Sequence, residues 1–448
     1  MNIKFRDLQL KKCLIFNLIC VIIVNTIKNG VIDMPYKELK GLYYENNEQY
    51  AKEYLKRFNS EESIKINFYI GENQAFFLQN AEVMSFAYKI SKLDKKISQL
   101  CTDLPGVAIE QYSKKCLIDE IVITNKIEGV HSSRKEIGEA LDILETQSNA
   151  KGKKQRFLSL VNKYLKLIKK ETISLKSCKD IRDIYDEVFL EEVIHEDPSN
   201  KPDGKIFRKD SVSVYSETDR VIHMGLMPEE KIIEATEQAL NFLNDESVDD
   251  LFRICVFHYL VEYIHPFYDG NGRLGRFIFS YGISKTLSPL VAFRISETIK
   301  ENISTYYRAF KICNDQRNLG DITPFLLMQL NMIYVAMQEL EKSLYQRKAT
   351  WVKYESAIQK YCKKNTTLRG LYSLLIQAAL FSEKGISMQQ LIKHMSISGY
   401  MIKKYMNEIP EQFLIIKQKN KFKYYSLNIE KLNSVILEES VEKLKDPE

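Results

Sequence analysis

The stretch Asp250 to Ile264 constrains this chain more than any other. Leu251, Phe252, Ile254, Cys255, Val256, Phe257, Tyr259, Leu260 and Val261 occupy most faces of a helix there. A helix that is apolar all round has no face for water, so this one predicts the centre of an all-helical core. With 448 residues, 45% of them hydrophobic, the chain has room for two or three domains with sizeable cores.

The segment that follows, His265 to Arg276, reads HPFYDGNGRLGR. Its glycines are expected to interrupt the helix at 269–275, before the apolar pattern resumes from Phe277 to Leu287. Gly270 and Gly272 admit unusual backbone angles, which lets successive N–H groups converge on phosphate oxygens. The following helix N-terminus adds unpaired donors and its positive dipole end. Arg273 and Arg276 lie three apart, so one turn brings both guanidinium groups toward the same polyphosphate. Asp269 is placed to hold a divalent cation bridging phosphates, and Asn271 to donate to phosphate or cap a turn. With no cysteine or serine nucleophile beside it, His265 is best used as a base for a hydroxyl supplied by a partner. His258, two turns earlier on the apolar helix, reads as a packing residue. A phosphate loop ending GK(S/T) is absent, which argues against an ordinary P-loop ATPase.

This segment resembles the Fic family, whose motif HxFx(D/E)GNGRxxR is matched by His265, Phe267, Asp269, Gly270, Asn271, Gly272, Arg273 and Arg276. The resemblance implies a mainly α Fic (Fido) core that transfers AMP from ATP to a Ser, Thr or Tyr hydroxyl of a target protein. His265 would deprotonate the hydroxyl, Asp269 would bind Mg²⁺, and Asn271 with the neighbouring backbone would cradle the α- and β-phosphates. Arg273 would support developing charge and Arg276 would engage the γ-phosphate. Phe207 to Met227 resembles the family's target-docking flap, whose backbone could align an extended target segment. Tyr306 and Tyr307 would border the nucleotide base, although plain packing explains those rings equally well.

Upstream, Thr124 to Gly129 reads TNKIEG and matches the family's inhibitory pattern (S/T)xxxE(G/N). The resemblance implies that Glu128 folds against Arg276 and keeps out the γ-phosphate, with Thr124 one turn earlier steadying the helix. A carboxylate can both neutralise the arginine and exclude its phosphate partner. Some relatives instead use the corresponding glutamate to orient water and remove AMP, so control of transfer, reverse hydrolysis, or both stay open.

The rest of the chain is expected to arrange itself around this core. Residues 34–109 read as an N-terminal helical region, with 34–120 mostly short helices and turns including Glu48–Lys56 and Asn80–Leu100. A Fic domain with its inhibitory helix is expected over 110–345. Within it, Leu117–Ile127 reads as a helix, and Ser133 with Glu136 as the capping box of the next one. Asn149–Arg156 reads as an exposed loop, Phe157–Lys170 as a helix and Glu196–Gly204 as a turn-bearing connection. Val212 and Val214 pair across a turn with Val221 and Ile222 as a short hairpin. Pro228 opens a helix to Leu243, and Thr323–Leu344 forms a long one.

From 350 to 431, Tyr372–Ala379, Met388–Met395 and Ser398–Asn407 precede a hairpin of Phe413–Ile416 with Lys423–Leu427, a winged-helix pattern. Residues 351–431 hold 14 Lys/Arg against 5 Asp/Glu, while the overall charge is only +6. Attraction to a polyanion therefore belongs to this end of the chain, and DNA is a candidate partner beside the target protein. An acidic tail fills 432–448. A regulatory nucleic-acid-binding protein is thus the competing reading of the whole.

Eight dispersed cysteines without a CxxC pair fit thiols of a reducing, cytoplasmic compartment rather than disulfides or a zinc site. Residues 1–33 carry an apolar run, Cys13 to Val24, too short for an ordinary spanning helix. An exported leader, a dispensable extension and a buried helix all remain open for it, and no membrane partner is assigned. Self-modification and a homo-oligomer are further partner expectations.

Overall fold

The computed structural model describes residues 36–146, 156–215, 221–362, 365–419 and 422–433. The expectations for residues 1–33, for the loop 149–155, for the hairpin tip 216–220, for Lys421 in the wing and for all but the start of the acidic tail lie outside the described residues.

The chain opens with α1 (Leu39–Glu45) and α2 (Asn47–Phe58). A hairpin of β1 (Ser63–Ile70) and β2 (Asn73–Leu78) follows, then α3 (Ala81–Asp103) and α4 (Gly106–Ile127). This corrects the expectation of short helices and turns: the region holds a β-hairpin and two helices of 23 and 22 residues. The strand signal was present, because Ile66, Phe68 and Ile70 alternate with polar or exposed neighbours and all three are buried. Gly71, at φ 59°, supplies the left-handed turn residue. The hairpin is stitched to the core near Asp321: Phe76 N–H donates to Gly320 O, and Ile322 N–H to Phe76 O. Buried Asp321 also accepts from Tyr36 and Arg57, anchoring the N-terminal region.

After α4 come α5 (Arg134–Thr146), α6 (Leu158–Ile168), α7 (Cys178–Tyr185) and, after a π turn, α8 (Glu191–Glu196). The capping box of α5 forms as expected, Ser133 N–H donating to Glu136 and Glu136 N–H to Ser133 Oγ. The short hairpin is also present, β3 (Ser213–Tyr215) antiparallel to β4 (Val221–Met224). Then α9 (Glu229–Leu243), α10 (Asp250–Ile264) and α11 (Asn271–Thr286) form successive packed pairs. Helix α10 is buried along nearly all of its length, as its all-round apolarity demands. The helix break is shorter than expected. It begins four residues earlier, covering His265 to Gly270, and Gly272, Arg273 and Gly275 lie inside α11. Gly270, at φ 80°, ends the loop, and nothing in Asn271 to Arg276 forbids helical angles.

The core closes with α12 (Pro289–Ala292), α13 (Ile295–Glu301), α14 (Ile303–Cys313) and α15 (Thr323–Tyr361). Helix α15 is 39 residues long and runs through the boundary drawn at 345–350. No glycine or proline interrupts it there, and Leu340, Leu344, Tyr354 and Ile358 supply buried contacts along its length.

The C-terminal unit contains α16 (Thr366–Phe381), the two-residue β5 (Ile386–Ser387), α17 (Met388–Met395) and α18 (Gly399–Met406). Its β6 (Leu414–Lys419) and β7 (Phe422–Leu427) complete a three-stranded sheet of order β5-β7-β6. It has its own core around Leu371, Leu375, Ile386, Leu391, Ile402 and Leu427, which Trp351 and Leu380 share with the main one.

Candidate active site

Helix α10 ends at His265, whose φ of 53° places a non-glycine residue in the left-handed region and turns the chain sharply away. Its N–H still donates to Val261 O. The loop beyond is held from three directions. The buried Phe267 ring stacks flat on Tyr185, 3.6 Å between centroids, and meets Phe207 edge-on. Asn271 clamps Phe267 from both sides, its Oδ1 accepting from Phe267 N–H and its Nδ2 donating to Phe267 O. That side chain is committed to the loop, so the donors this position can offer the cavity are the main-chain N–H groups of the first turn of α11. Tyr185 Oη donates to Asp269 O.

Arg208, fully buried, donates to the carbonyls of His265, Leu226 and Asp210 and so hangs the base of the hairpin on the loop. Glu229 in turn accepts from the N–H groups of Lys205, Ile206 and Phe207. Neither residue was singled out from the sequence. An arginine or glutamate whose partners are main-chain groups far along the chain leaves no spacing signal.

These elements enclose a cavity of about 270 Å³. His265, Asp269, Gly270 and Gly272 line it, together with Glu128 and Arg276. Tyr306, Tyr307, Phe310 and Asn314 form another wall, and His223 of β4 faces it. Both tyrosines expected near a base are therefore at the cavity. Tyr306 is also buried, with its hydroxyl against His258 Nε2 at 2.8 Å. His258 is a core residue, as read, and burial pushes its imidazole down to about 3.

Glu128 meets the cavity just past the end of α4, with Thr124 one turn before it and Gly129 directly after it. Arg276, 1% exposed, donates from Nε to Thr124 Oγ1 at 2.9 Å and from Nη2 to Thr124 O at 3.2 Å. The same Nη2 lies 2.8 Å from Glu128 Oε1. Burial alone would raise the Glu128 carboxyl, but the Arg276 guanidinium outweighs it and holds the group below the usual range. Gly272 makes this approach feasible, since a Cβ there would sit 2.3 Å from Glu128 Oε1.

Arg273 is equally buried and donates from Nη1 to Glu192 Oε2 at 2.7 Å, while its Nε and Nη2 have no partner among the described residues. A second carboxylate absent from the sequence reading, Glu262, lines the cavity with Oε2 4.0 Å from His265 Nδ1. Burial, against the pull of Arg276, pushes it up to about 8. Gly275 leaves it space, because a Cβ there would meet Glu262 Oε1 at 2.3 Å. Burial likewise pushes His265 down to about 4 despite the charge of Glu128, so its imidazole is neutral at ordinary pH.

Residues 176–282 match the Fic/DOC family. This stretch forms a Fic domain. The match is narrower than the 110–345 expected from sequence and does not reach Glu128. The chain is similar to protein adenylyltransferase fic-1 of Caenorhabditis elegans, 31% identical over 100 residues, which are 22% of this chain and 18% of that protein. It is also similar to protein adenylyltransferase Fic of Drosophila ananassae, 26% identical over 249 residues, 53% of this chain and 44% of the relative. The chain thus spans less than half the length of these curated relatives. A crystal structure of a Fic family protein from Desulfovibrio desulfuricans aligns at 17% identity and a TM-score of 0.48, covering 78% of this chain and 96% of that one. Among the described residues, no helix is long and apolar enough to cross a membrane.

Proposed function

We propose that this protein transfers AMP from ATP to a Ser, Thr or Tyr hydroxyl of a target protein, and that Glu128 restrains the transfer. The observation that carries this reading is the buried Arg276, closed by Glu128 inside a cavity that also presents His265 and the first turn of α11. His265 Nδ1 faces Glu262 O at 3.4 Å; with the proton on Nδ1, Nε2 is left as the basic nitrogen. The target hydroxyl gives its proton to His265 as its oxygen bonds to the α-phosphorus. The bond from that phosphorus to the bridging oxygen breaks, and pyrophosphate leaves. First-turn N–H groups of α11 and the arginines stabilise the charge that spreads over the phosphate oxygens. Arg276 takes the γ-phosphate once Glu128 withdraws.

Asp269 suits Mg²⁺. One of its oxygens accepts from Gly270 N–H and the other stays available, and a single carboxylate fits a hard cation that completes its shell from phosphate and water. Among the described residues there is no group of three or more His, Cys, Asp or Glu that would hold a metal unaided. When bound, the cation would neutralise phosphate charge.

The test is incorporation of labelled AMP into a broad protein mixture and into the chain itself. It should rise in Glu128→Gly and vanish in Glu128→Gly/His265→Ala. A folded Glu128→Gly variant that transfers no nucleotide from any of several donors, by mass spectrometry, overturns the reading. The ionised state of Glu128 also favours AMP removal, with that carboxylate orienting water. Incubating self-modified Glu128→Gly protein with the unmodified chain would show loss of the AMP mass if this second activity exists, and an unchanged mass would exclude it.

For the C-terminal unit, the wing hairpin and α18, with Lys403 and Lys404 in its last turn, support a winged helix that contacts duplex DNA. Neutralising Lys417 and Lys423 should weaken DNA binding at low salt, and no binding there would reject the role. A cytoplasmic setting fits ATP-dependent modification.

A further inference from the structure

Two side chains outside every motif join the inhibitory turn to the phosphate-binding arginines. Arg156, just before α6, donates from Nη1 to the main-chain oxygen of His131 at 2.9 Å. Its Nε and Nη2 fork onto Glu192 Oε1 at 3.0 and 2.5 Å. The other oxygen of Glu192 takes Arg273 Nη1 at 2.7 Å. His131 lies three residues beyond Glu128, which closes on Arg276, and Arg276 lies one turn along α11 from Arg273. The contacts form a closed circuit: inhibitory turn, Arg156, Glu192, Arg273, α11, Arg276 and back through Glu128.

An exposed ion pair taken alone contributes little. Here Glu192 is only 11% exposed and serves two guanidinium groups, and Arg156 spends its third bond on backbone. That combination fixes geometry as well as charge. Arg273 is the more sensitive member. With Nη1 held, the direction of its two unpartnered donors, Nε and Nη2, is set by Glu192.

We propose that Glu192 is a positioning residue for Arg273, and that Arg156 uses the same carboxylate to latch the inhibitory turn in its docked place. The proposal rests on the AMP-transfer reading above for its activity arm only. Losing Arg156 frees the turn at His131 while leaving Arg273 on Glu192. Losing the Glu192 carboxylate frees the turn and also lets Arg273 swing.

The experiment uses the full chain and the variants Arg156→Ala, Arg156→Lys, Glu128→Gly, Glu128→Gly/Glu192→Gln and Glu128→Gly/Glu192→Ala. Without nucleotide, amide exchange over residues 128–133 should quicken roughly five- to tenfold in Arg156→Ala, and less in Arg156→Lys, with other helices unchanged. Exchange that stays at the wild-type rate overturns the latch whatever the activity. AMP transfer by Arg156→Ala should exceed that of the unmodified chain. In the released background, Glu192→Ala should lower kcat roughly tenfold or more with little change in KM for ATP, and Glu192→Gln, which can still accept from Arg273, should recover part of it. Equal kcat in all three released forms overturns the positioning role. Inactivity of Glu128→Gly itself would count against the transfer reading, while the exchange result would still decide the latch.

Discussion

Arg276 shows how much of the site rests on single side chains. Its guanidinium is 1% exposed and is satisfied by Thr124 and Glu128, so each partner helps to compensate the buried charge of Arg276. Thr124→Val should therefore destabilise the protein by about 1–2 kcal/mol, read as a lower Tm, and should raise AMP transfer, though by less than Glu128→Gly. The base can be examined through pH. Burial lowers His265 from its ordinary 6.5 to about 4, and Glu128 acts to raise it. Removing Glu128 should lower it further. The imidazole is then a competent base above that pKa, so kcat/KM of Glu128→Gly, which reports the free enzyme, should rise with pH on an acid limb below 6 and be flat through neutrality. An acid limb centred near 6.5 would contradict this. At this scale the motif residues were legible because unusual residue types crowd into twelve positions. Glu262, Glu192 and Arg208 were not, because each is ordinary in its local sequence and acquires its role from partners elsewhere in the chain.

Among the elements, α4 leads directly to Glu128 at the cavity. It carries Thr124 and Glu128 at its end and is fixed two turns earlier by Glu120. That fully buried carboxylate accepts from Ser296 Oγ and N–H and, at longer range, from Ser280 Oγ. Burial, only partly countered by these bonds, pushes Glu120 up to about 7. A carboxyl with a raised folded pKa binds its proton more tightly in the native state. Its contribution is complete below the unfolded value near 4.5 and is lost as pH rises through about 7. Glu120→Gln should flatten the pH dependence of stability between those limits, a span worth on the order of 3 kcal/mol. Denaturant titrations at several pH values would show it, and an unchanged slope would mean that Glu120 does not carry the effect. Helix α4 was only half visible in sequence. Its last turns, Leu117 to Ile127, were read correctly, whereas its first turns, beginning at Gly106, lack a clear apolar stripe. They become helical by packing against α16, where Tyr112 meets Phe381 edge-on at 6.2 Å.

For the molecule as a whole, the Fic domain and the C-terminal unit share structure. Helix α15 enters both cores, and Arg347 covers the rings of Tyr112 and Phe381 while donating to Leu380 O. Lys384 reaches Gly138 O at 3.0 Å and Asp142 at 2.7 Å on α5, the helix that follows α4. The two units should therefore unfold together. Leu375→Ala, which hollows the C-terminal core, should cost about 2–5 kcal/mol and lower the single transition of the whole chain. Two separate transitions, with amide exchange at residues 265–276 unaffected, would show that the units are independent.

The sequence by itself determined the buried α10, the glycine-rich break in the helix before Arg276, the capping of α5 and the hairpin of the C-terminal unit. In each, the deciding interactions are local: periodicity, glycine placement, a side chain capping its own helix. Only the tertiary structure decided that α11 starts at Asn271, that α15 runs on to Tyr361 and that a β-hairpin lies between two N-terminal helices. The approach of Glu128 to Arg276, 2.8 Å, was implied by the family resemblance, but only the tertiary structure ran Arg156 and Glu192 between the turn after α4 and Arg273. Those outcomes depend on burial and on charges far apart in the chain, which meet only once the core has closed.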